Sequence, residues 1–311
     1  MTDSPGARLY LDGIMYSRTT MQRARKALED GRGWKHVVID QHDGQEWNGA
    51  NISNALMFMQ HYAWIDTLWY GEGFNYSADA LDGHGPDWWL LEVSGIPFGL
   101  TGEMLEEGGG EWSWQHAMPY RGMVYGLTGR QRDVNTTGLW AFWDEIQIEK
   151  MHMQGWWQPD CPVRLQGCPD VVATVYNRSG LALIALASWH RTGSTCTFDI
   201  EWSELGLKQG SNPMLEAPFV DLGSHGINGS SMVQEQATFS AAAPFVVVPG
   251  GGALLVLRDA NAVTWQSTSN PKTPAKTDDE WKPAFSISHA RAVGLSPRPG
   301  STCGNVWSIF Y

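Results

Sequence analysis

The sequence predicts a mixed chain, in which about the last five strands of a (β/α)8-type barrel are followed by an antiparallel β-sandwich. Over the first 150 residues, short apolar runs alternate with amphipathic stretches, a pattern typical of βαβ units and a parallel sheet. From about Val163 the apolar runs are separated by Gly, Pro, Asn and Ser turns, and no helical period of comparable length remains. The first pattern therefore predicts an α/β part, and the second predicts an all-β part.

The opening elements alternate between strand and helix. Residues 8–13 form an apolar run that ends in Asp-Gly, and residues 19–28 follow as a helix that Thr19 or Thr20 caps. A second apolar run, residues 35–40, ends on Asp40, and residues 54–62 fit a second helix. This spacing predicts two βα units.

Three further strands are predicted in the same part of the chain. They are residues 66–72, 88–93 and 121–127, each of which is a short apolar or aromatic run. Five strands are too few to close an eight-stranded barrel. We therefore expect residues 1–160 to be the C-terminal part of such a barrel.

The remaining chain divides into a β domain and a tail. The predicted strands of the β domain, expected over residues 161–260, are 171–177, 181–189, 195–200, 245–248 and 253–258. Residues 261–311 are rich in Ser, Thr, Pro and Lys up to Pro283, which predicts a poorly ordered linker or tail.

Composition excludes several classes of protein. Only 21 Lys and Arg accompany 33 Asp and Glu, so the net charge of -12 argues against nucleic acid as a partner. No apolar run reaches the ~20 residues that a membrane span requires.

The four cysteines show no metal-binding or redox spacing, so no metal or cofactor is expected, although Cys161 and Cys168 could pair across a turn. Five Asn-x-Ser/Thr triplets would permit glycosylation in a secretory compartment, which leaves the localisation open.

Acidic residues close four of the predicted strands. Asp12, Asp40, Glu72 and Glu92 follow one another at intervals of 28, 32 and 20 residues, which fits one βα unit per step. Because the carboxyl ends of barrel strands surround one mouth, these acids are expected to converge there. Taken singly, Asp40 is equally compatible with a helix cap or a turn, and this alternative applies less to Asp12 and Glu72. Glu92 is the weakest candidate, because it lies inside the segment Leu-Leu-Glu-Val-Ser-Gly.

Paired carboxyl groups are what glycosidic cleavage requires. One carboxyl protonates the leaving oxygen, while the other attacks the sugar or activates water. Aromatic residues surround Glu72 in the segment Trp69-Tyr70-Gly71-Glu72-Gly73-Phe74, and an apolar setting favours a protonated acid. We therefore predict that Glu72 is the acid/base and Asp12 the nucleophile.

The remaining candidates are residue types that bind sugars. The chain has 17 Trp, and flat aromatic rings suit the faces of sugars; any single Trp is better explained as a core residue, so only the excess points to sugar binding. The predicted substrate-binding residues, with His42 expected on the loop after its strand, are Asp40, His42, Trp47, Trp69, Tyr70, Glu92 and Arg121. The predicted partner is an oligosaccharide, polysaccharide or glycoconjugate. Because the net charge of the chain is -12, a neutral or cationic ligand fits better than an anionic one.

Four segments resemble a group of proteins similar to glycoside hydrolase family 123. They are LDGIMYSRTTM (11–21), YGEGF (70–74), EVSGIPFG (92–99) and RGMVYG (121–126), and the resemblance extends from about residue 8 to residue 258. The resemblance implies a barrel glycosidase with a C-terminal sandwich, of which the segments 187–189 and 205–207 look like landmarks. It also implies an upstream part with the first barrel strands.

The resemblance bears on the mechanism in two ways. If Asp12 ends the fourth barrel strand, Glu72 ends the sixth, which is the arrangement of retaining glycosidases that resemble the α-galactosidase group. Family 123 itself is associated with an adjacent Asp-Glu pair and assistance by the acetamido group of the substrate. The nearest such pair is Asp144-Glu145, which falls on a predicted helix. We therefore predict the direct nucleophile.

Two functions compete on these observations. The first is a retaining glycoside hydrolase. The second is a carbohydrate-binding protein, or an inactive fragment of such an enzyme, in which the acids do not meet. An esterase would require a Gly-x-Ser-x-Gly elbow, and that pentapeptide does not occur.

Overall fold

The computed structural model shows a parallel sheet joined to an antiparallel β domain. It describes residues 7–11, 17–32, 37–42, 59–70, 85–92, 94–106, 118–131, 137–190, 192–208, 214–224 and 231–258. Within these ranges, none of the helices combines the length and the apolar character that crossing a membrane requires. The predicted tail, residues 261–311, lies outside the described residues.

The first part of the chain forms a five-stranded sheet. Its strands lie side by side in chain order, and each pairs with the next in parallel. The strands are β1 (Ala7–Leu11), β2 (Val37–His42), β3 (Thr67–Tyr70), β4 (Thr101–Glu106) and β5 (Thr128–Gln131). Sequential parallel strands joined by helices are the topology of part of a (β/α) barrel, so the coarse prediction is confirmed.

In the described residues, four α-helices accompany the strands. They are α1 (Arg18–Arg32), α2 (Pro86–Glu92), α3 (Met118–Val124) and α4 (Thr137–Ile146), and residues 59–62 are also helical. The helix predicted at 19–28 is α1, and it begins one residue before the predicted threonine caps. Ser17 precedes it, and its Oγ accepts a hydrogen bond from the Thr20 N–H at 3.3 Å, so Ser17 is the capping residue.

Two of the five predicted strands are wrong. Residues 88–93 fall largely in α2, which begins at Pro86, and a proline is well tolerated in a first helical turn. Within α2, Trp89 is buried whereas Leu91 is 54% exposed, as on an amphipathic helix. Residues 121–127 likewise fall mainly in α3, after which Gly126 adopts a left-handed φ of 69°. The true strands, β4 and β5, begin shortly after these helices.

The β domain contains antiparallel sheets. A six-stranded sheet has the order β14-β11-β16-β9-β8-β6, and a three-stranded sheet has the order β15-β10-β7. The six-stranded sheet comprises β6 (His152–Gln154), β8 (Val171–Arg178), β9 (Leu181–Ser188), β11 (Met214–Ala217), β14 (Ala237–Ser240) and β16 (Gly252–Arg258). The other strands are β7 (Val163–Gln166), β10 (Ser194–Ile200), β12 (Val220–Ser224), β13 (Ser231–Gln234) and β15 (Phe245–Val247). The antiparallel character predicted for residues 163–258 is confirmed, and β6 adds a strand that precedes the predicted boundary at residue 161.

The strands of the six-stranded sheet are buried on both faces at its centre. All eight residues of β9 are buried. One face contributes Leu183, Ala185 and Ala187 to a core shared with the parallel sheet and its helices. The other face contributes Ile184 and Leu186 to a second core, shared with the three-stranded sheet. This pattern explains why β9 shows a continuous apolar run instead of alternation.

Close contacts join α3 to the six-stranded sheet. The Thr174 Oγ1 donates a hydrogen bond to the Val124 carbonyl at 2.6 Å, and the Tyr176 hydroxyl donates one to the Met123 carbonyl. A Cβ atom at Gly252 would lie 2.4 Å from the Cβ of Tyr120, so only glycine permits this approach. The two parts therefore share one packed interior.

One disulfide lies within the β domain. It joins Cys168 to Cys196, whereas Cys161 is a free, buried thiol. The predicted pairing of Cys161 with Cys168 is therefore wrong. The physical reason is the strand pairing of β7 with β10, which brings the chain after β7 beside the start of β10.

Candidate active site at the carboxyl ends of the parallel strands

The two faces of the parallel sheet differ in character. Leu11, Ile39 and Leu68 are buried in the core shared with the helices. Alternate residues in the same strands carry polar and aromatic side chains. Tyr10 pairs in register with Asp40, Asp40 pairs with Thr67, and His42 pairs with Trp69. Because successive side chains point to opposite faces of a sheet, these five residues share the face opposite the core.

Asp40 joins β2 to β3 through two short hydrogen bonds. Its Oδ1 accepts a bond from the Thr67 Oγ1 at 2.6 Å, and its Oδ2 accepts one from the Trp69 Nε1 at 2.6 Å. The sequence predicted Asp40 and Trp69 as separate sugar ligands, and the structure brings them into contact.

His42 and Tyr10 extend this cluster towards β1. Their rings are stacked, with centroids 6.4 Å apart and an interplanar angle of 24°. The Tyr10 ring also meets the Trp69 ring edge-on at 6.4 Å. The prediction that His42 lies in a loop is wrong, because His42 is the last residue of β2 and is only 4% exposed. We call Tyr10, Asp40, His42, Thr67 and Trp69 the mouth cluster.

The two predicted catalytic acids lie next to strands but outside the described residues. Asp12 follows Leu11, the last residue of β1, and Glu72 comes two residues after Tyr70, the last residue of β3. The strand β2 lies between β1 and β3. Trp47 also lies outside the described residues, and Tyr70 ends β3.

Glu92 does not occupy the position from which its role was predicted. It ends the helix α2, not a strand. The acid at the carboxyl end of the fourth strand is Glu106, the last residue of β4. Glu106 is not among the predicted residues, because the apolar run at 88–93 predicts a strand that ends on Glu92. A signal was present, since Met104 and Leu105 form a short apolar run that closes on this acid.

Arg121 lies in the contact between the two parts of the chain, against Trp89, Trp189 and Ser188. It is 1% exposed, and its guanidinium lies 5.6 Å from the centre of the Trp89 ring and 5.2 Å from that of Trp189. Its Nη2 donates a long hydrogen bond of 3.4 Å to the Ser188 carbonyl. The prediction that Arg121 is part of a strand is wrong, and this setting gives it a packing role.

Other features bear on cofactors and on the assisted mechanism. In the part of the chain that the structure describes, no group of three or more His, Cys, Asp or Glu residues is arranged to hold a metal ion. The adjacent pair Asp144-Glu145 lies on the helix α4, as predicted. The pair therefore does not end one of the five parallel strands.

Two family models match the chain in succession. The model described as "Glycoside hydrolase 123, TIM-barrel domain" matches residues 5–132, and "Glycoside hydrolase 123, C-terminal domain" matches residues 135–258. The first match contains the parallel sheet, and the second contains α4 and the antiparallel β domain. Among curated proteins, no sequence matches the chain.

Several solved structures are similar at low identity. A maltogenic α-amylase, AmyB from Thermotoga neapolitana, is 9% identical, with a TM-score of 0.42 over 82% of this chain and 62% of its own. An Anoxybacillus α-amylase is 8% identical, with a TM-score of 0.43 over 83% of this chain and 60% of its own. A GH30 endoxylanase from Clostridium papyrosolvens is 10% identical, with a TM-score of 0.34 over 78% of this chain and 61% of its own. The chain thus spans about three-fifths of the length of these structures.

Proposed function

Since the chain belongs to glycoside hydrolase family 123, we propose that it carries the catalytic carboxylates of an enzyme that cleaves glycosidic bonds with retention. Asp12 is the nucleophile and Glu72 is the acid/base. In the finer fold that accompanies this proposal, β1 to β5 are the last five strands of an eight-stranded barrel. The six-stranded and three-stranded sheets form the β-sandwich that follows it.

One observation carries the proposal: β1 ends directly before Asp12, β3 ends two residues before Glu72, and a single strand separates them. Neighbouring strands lie about 4.8 Å apart, so the backbones of β1 and β3 are about 9.6 Å apart. Two carboxyl groups that lean towards each other from such positions can approach the ~5 to 5.5 Å that retaining hydrolysis requires.

The proposed reaction has two steps. A carboxylate oxygen of Asp12 bonds to the anomeric carbon while the glycosidic C–O bond breaks, and the proton of Glu72 passes to the leaving oxygen. Water then attacks the glycosyl-enzyme, Glu72 takes a proton from this water, and Asp12 leaves as a carboxylate. Each step inverts the anomeric carbon, so the product retains the original configuration.

The predicted sugar ligands around these acids are Asp40, His42, Trp47, Trp69 and Tyr70. The mouth cluster supports His42 and Trp69 as ligands, because it places their rings beside hydrogen-bonding groups on one face of the sheet. Asp40 lies on the same face, where both of its carboxylate oxygens accept hydrogen bonds from β3. Glu92 and Arg121 lie on helices and are left out of the proposal. The substrate class that fits the net charge of -12 is a neutral or cationic saccharide.

The competing function is carbohydrate binding without cleavage. One observation favours it: within the described ranges the parallel sheet has five strands, whereas a closed barrel needs eight. In that case the same mouth holds a sugar, but the acids do not meet across the scissile bond.

A panel of activated aryl glycosides distinguishes the two functions. We expect turnover of at least one of them by a protein that carries all eight strands of the proposed barrel, and NMR of the first-formed sugar should show the anomeric configuration of the substrate. Inverted product would contradict the assignment of Asp12 as nucleophile. Sugar binding without turnover of any glycoside would favour the competing function.

A further inference from the structure

Both carboxylate oxygens of Asp40 accept hydrogen bonds from other side chains of the protein. Of the roughly four acceptor positions of a carboxylate, one on each oxygen is occupied, by Thr67 and by Trp69. Both donors lie on the neighbouring strand β3, and Thr67 is the direct partner of Asp40 in register. The carboxylate is therefore held by β3 at two points.

The same contacts fix the ring of Trp69. An indole has a single N–H donor, and that donor is bound to Asp40. The Tyr10 ring meets the Trp69 ring at an interplanar angle of 90°, which provides a second restraint. Trp69 is 9% exposed, so its orientation decides which part of the indole lines the mouth.

We propose that Asp40 is a positioning residue: it holds the Trp69 indole in the orientation that contacts the sugar, instead of binding the sugar itself. This inference rests on the proposed function, and it refines the role of one of its ligands. It also makes Trp69 a contact through the ring and not through the indole N–H.

Three substitutions test the role of Asp40. Asp40→Leu removes both acceptors, and Trp69→Phe removes the indole. Asp40→Asn keeps one acceptor for the Trp69 N–H, while its amide can donate to the Thr67 hydroxyl oxygen. Trp143→Phe serves as the control, because Trp143 is a half-buried indole whose Nε1 donates a hydrogen bond to the Met123 sulfur on α3.

The first measurement is KM and kcat on the aryl glycoside that the wild-type protein turns over best. Asp40→Leu and Trp69→Phe should each raise KM about tenfold and change kcat less than about twofold, as expected for loss of one oriented ring contact. The double variant should be no worse than Trp69→Phe alone, because both changes remove the same contact. Asp40→Asn should raise KM less than Asp40→Leu does, because it keeps one acceptor for the Trp69 N–H, whereas Trp143→Phe should stay close to wild type.

Two results would overturn the inference. If Asp40 binds sugar directly, the KM increases of Asp40→Leu and Trp69→Phe will multiply in the double variant, and Asp40→Asn will not rescue binding. If Asp40 takes part in the chemistry, its substitution will lower kcat at an unchanged KM.

A second measurement separates this inference from the proposed function. In a spectrum of ¹⁵N-labelled tryptophan, the Trp69 indole resonance, assigned by its loss in Trp69→Phe, should move in Asp40→Leu but much less in Asp40→Asn. An unmoved resonance in Asp40→Leu contradicts the inference even in an active enzyme. Conversely, a wild-type protein that turns over no glycoside contradicts the proposed function, whatever the resonance does.

Discussion

At the scale of single residues, Arg121 contributes to the contact between the parallel sheet and the β domain. Its guanidinium lies near the rings of Trp89, from α2, and Trp189, which follows β9. A desolvated cation over aromatic faces contributes about 2 kcal/mol. The contact therefore links a helix of one part to the strand end of the other.

We expect Arg121→Met to lower the free energy of unfolding by about 2 kcal/mol, since methionine keeps much of the volume but loses the charge. Urea unfolding followed by fluorescence measures this change. The control is Arg164→Met, at a largely exposed position on β7, which should stay within about 0.5 kcal/mol of wild type. Equal effects of the two substitutions would contradict the role given to Arg121.

Three buried tyrosines make stability depend on alkaline pH. Burial raises the pKa of Tyr120, Tyr125 and Tyr176 above the ordinary value. These hydroxyls stay protonated in the folded state while they ionise in the unfolded chain. The unfolded state then binds fewer protons, so the free energy of unfolding falls as pH rises above about 10.

The expected slope is about 1.4 kcal/mol per pH unit for each of these tyrosines. Tyr176→Phe should remove one such contribution, although it also loses the hydrogen bond to the Met123 carbonyl. Unfolding curves from pH 8 to pH 12 on both proteins test this expectation. A slope that is the same in the variant and in the wild type would show that Tyr176 ionises normally when folded.

Residue identity alone could suggest the mouth cluster but not its contacts. Asp40, His42 and Trp69 were predicted because acids, imidazoles and indoles near strand ends suit sugars. The hydrogen bond from Trp69 to Asp40 depends on the register of β2 against β3. This register cannot be predicted from the sequence of either strand alone. Tyr10 and Thr67 were missed for the same reason, since they matter only once the strands are paired.

At the scale of elements, the sequence predicted strands and helices correctly where the hydrophobic period was clear. The first three parallel strands and α1 were predicted because short apolar runs and an amphipathic stretch are hard to confuse. The segments 88–93 and 121–127 are dense in apolar and aromatic residues, so periodicity could not separate a buried strand from a short helix. Pro86 and Pro119, near the starts of α2 and α3, were the signals that favoured helices.

The disulfide stabilises the β domain at the level of its strands. It links Cys168, after β7, to Cys196 in β10, with a sequence separation of 28 residues that encloses β8 and β9. Loop-closure entropy for a loop of this length corresponds to about 3.6 kcal/mol. We therefore expect reduction of the wild-type protein to lower its free energy of unfolding by about that amount.

Urea unfolding with and without reductant measures this effect. The double variant Cys168→Ala, Cys196→Ala should be weakened to a similar extent and should no longer respond to reductant. Cys161→Ala removes a thiol without removing the cross-link, so it should keep the response of the wild type. A wild-type protein that does not respond to reductant would contradict the pairing.

At the scale of the whole molecule, the shared core explains how a five-stranded parallel sheet is supported. The six-stranded sheet presents one face to α3 and the other to the three-stranded sheet, so it lies between two apolar interiors. The parallel sheet thus keeps one face on the common core, while its opposite face carries the mouth cluster. The apolar packing is thus concentrated at the junction with the β domain.

In the proposed mechanism, Asp12 and Glu72 act as nucleophile and acid/base. The test measures turnover of an activated aryl glycoside by Asp12→Asn and by Glu72→Gln, each with and without azide. The control is Asp199→Asn, on β10. Both site variants should lose most turnover, but Glu72→Gln should retain more, because a good leaving group needs little protonation. Azide should restore Glu72→Gln and yield a glycosyl azide of retained configuration, while Asp12→Asn should give no retained product. Near wild-type activity in both variants would contradict the claim.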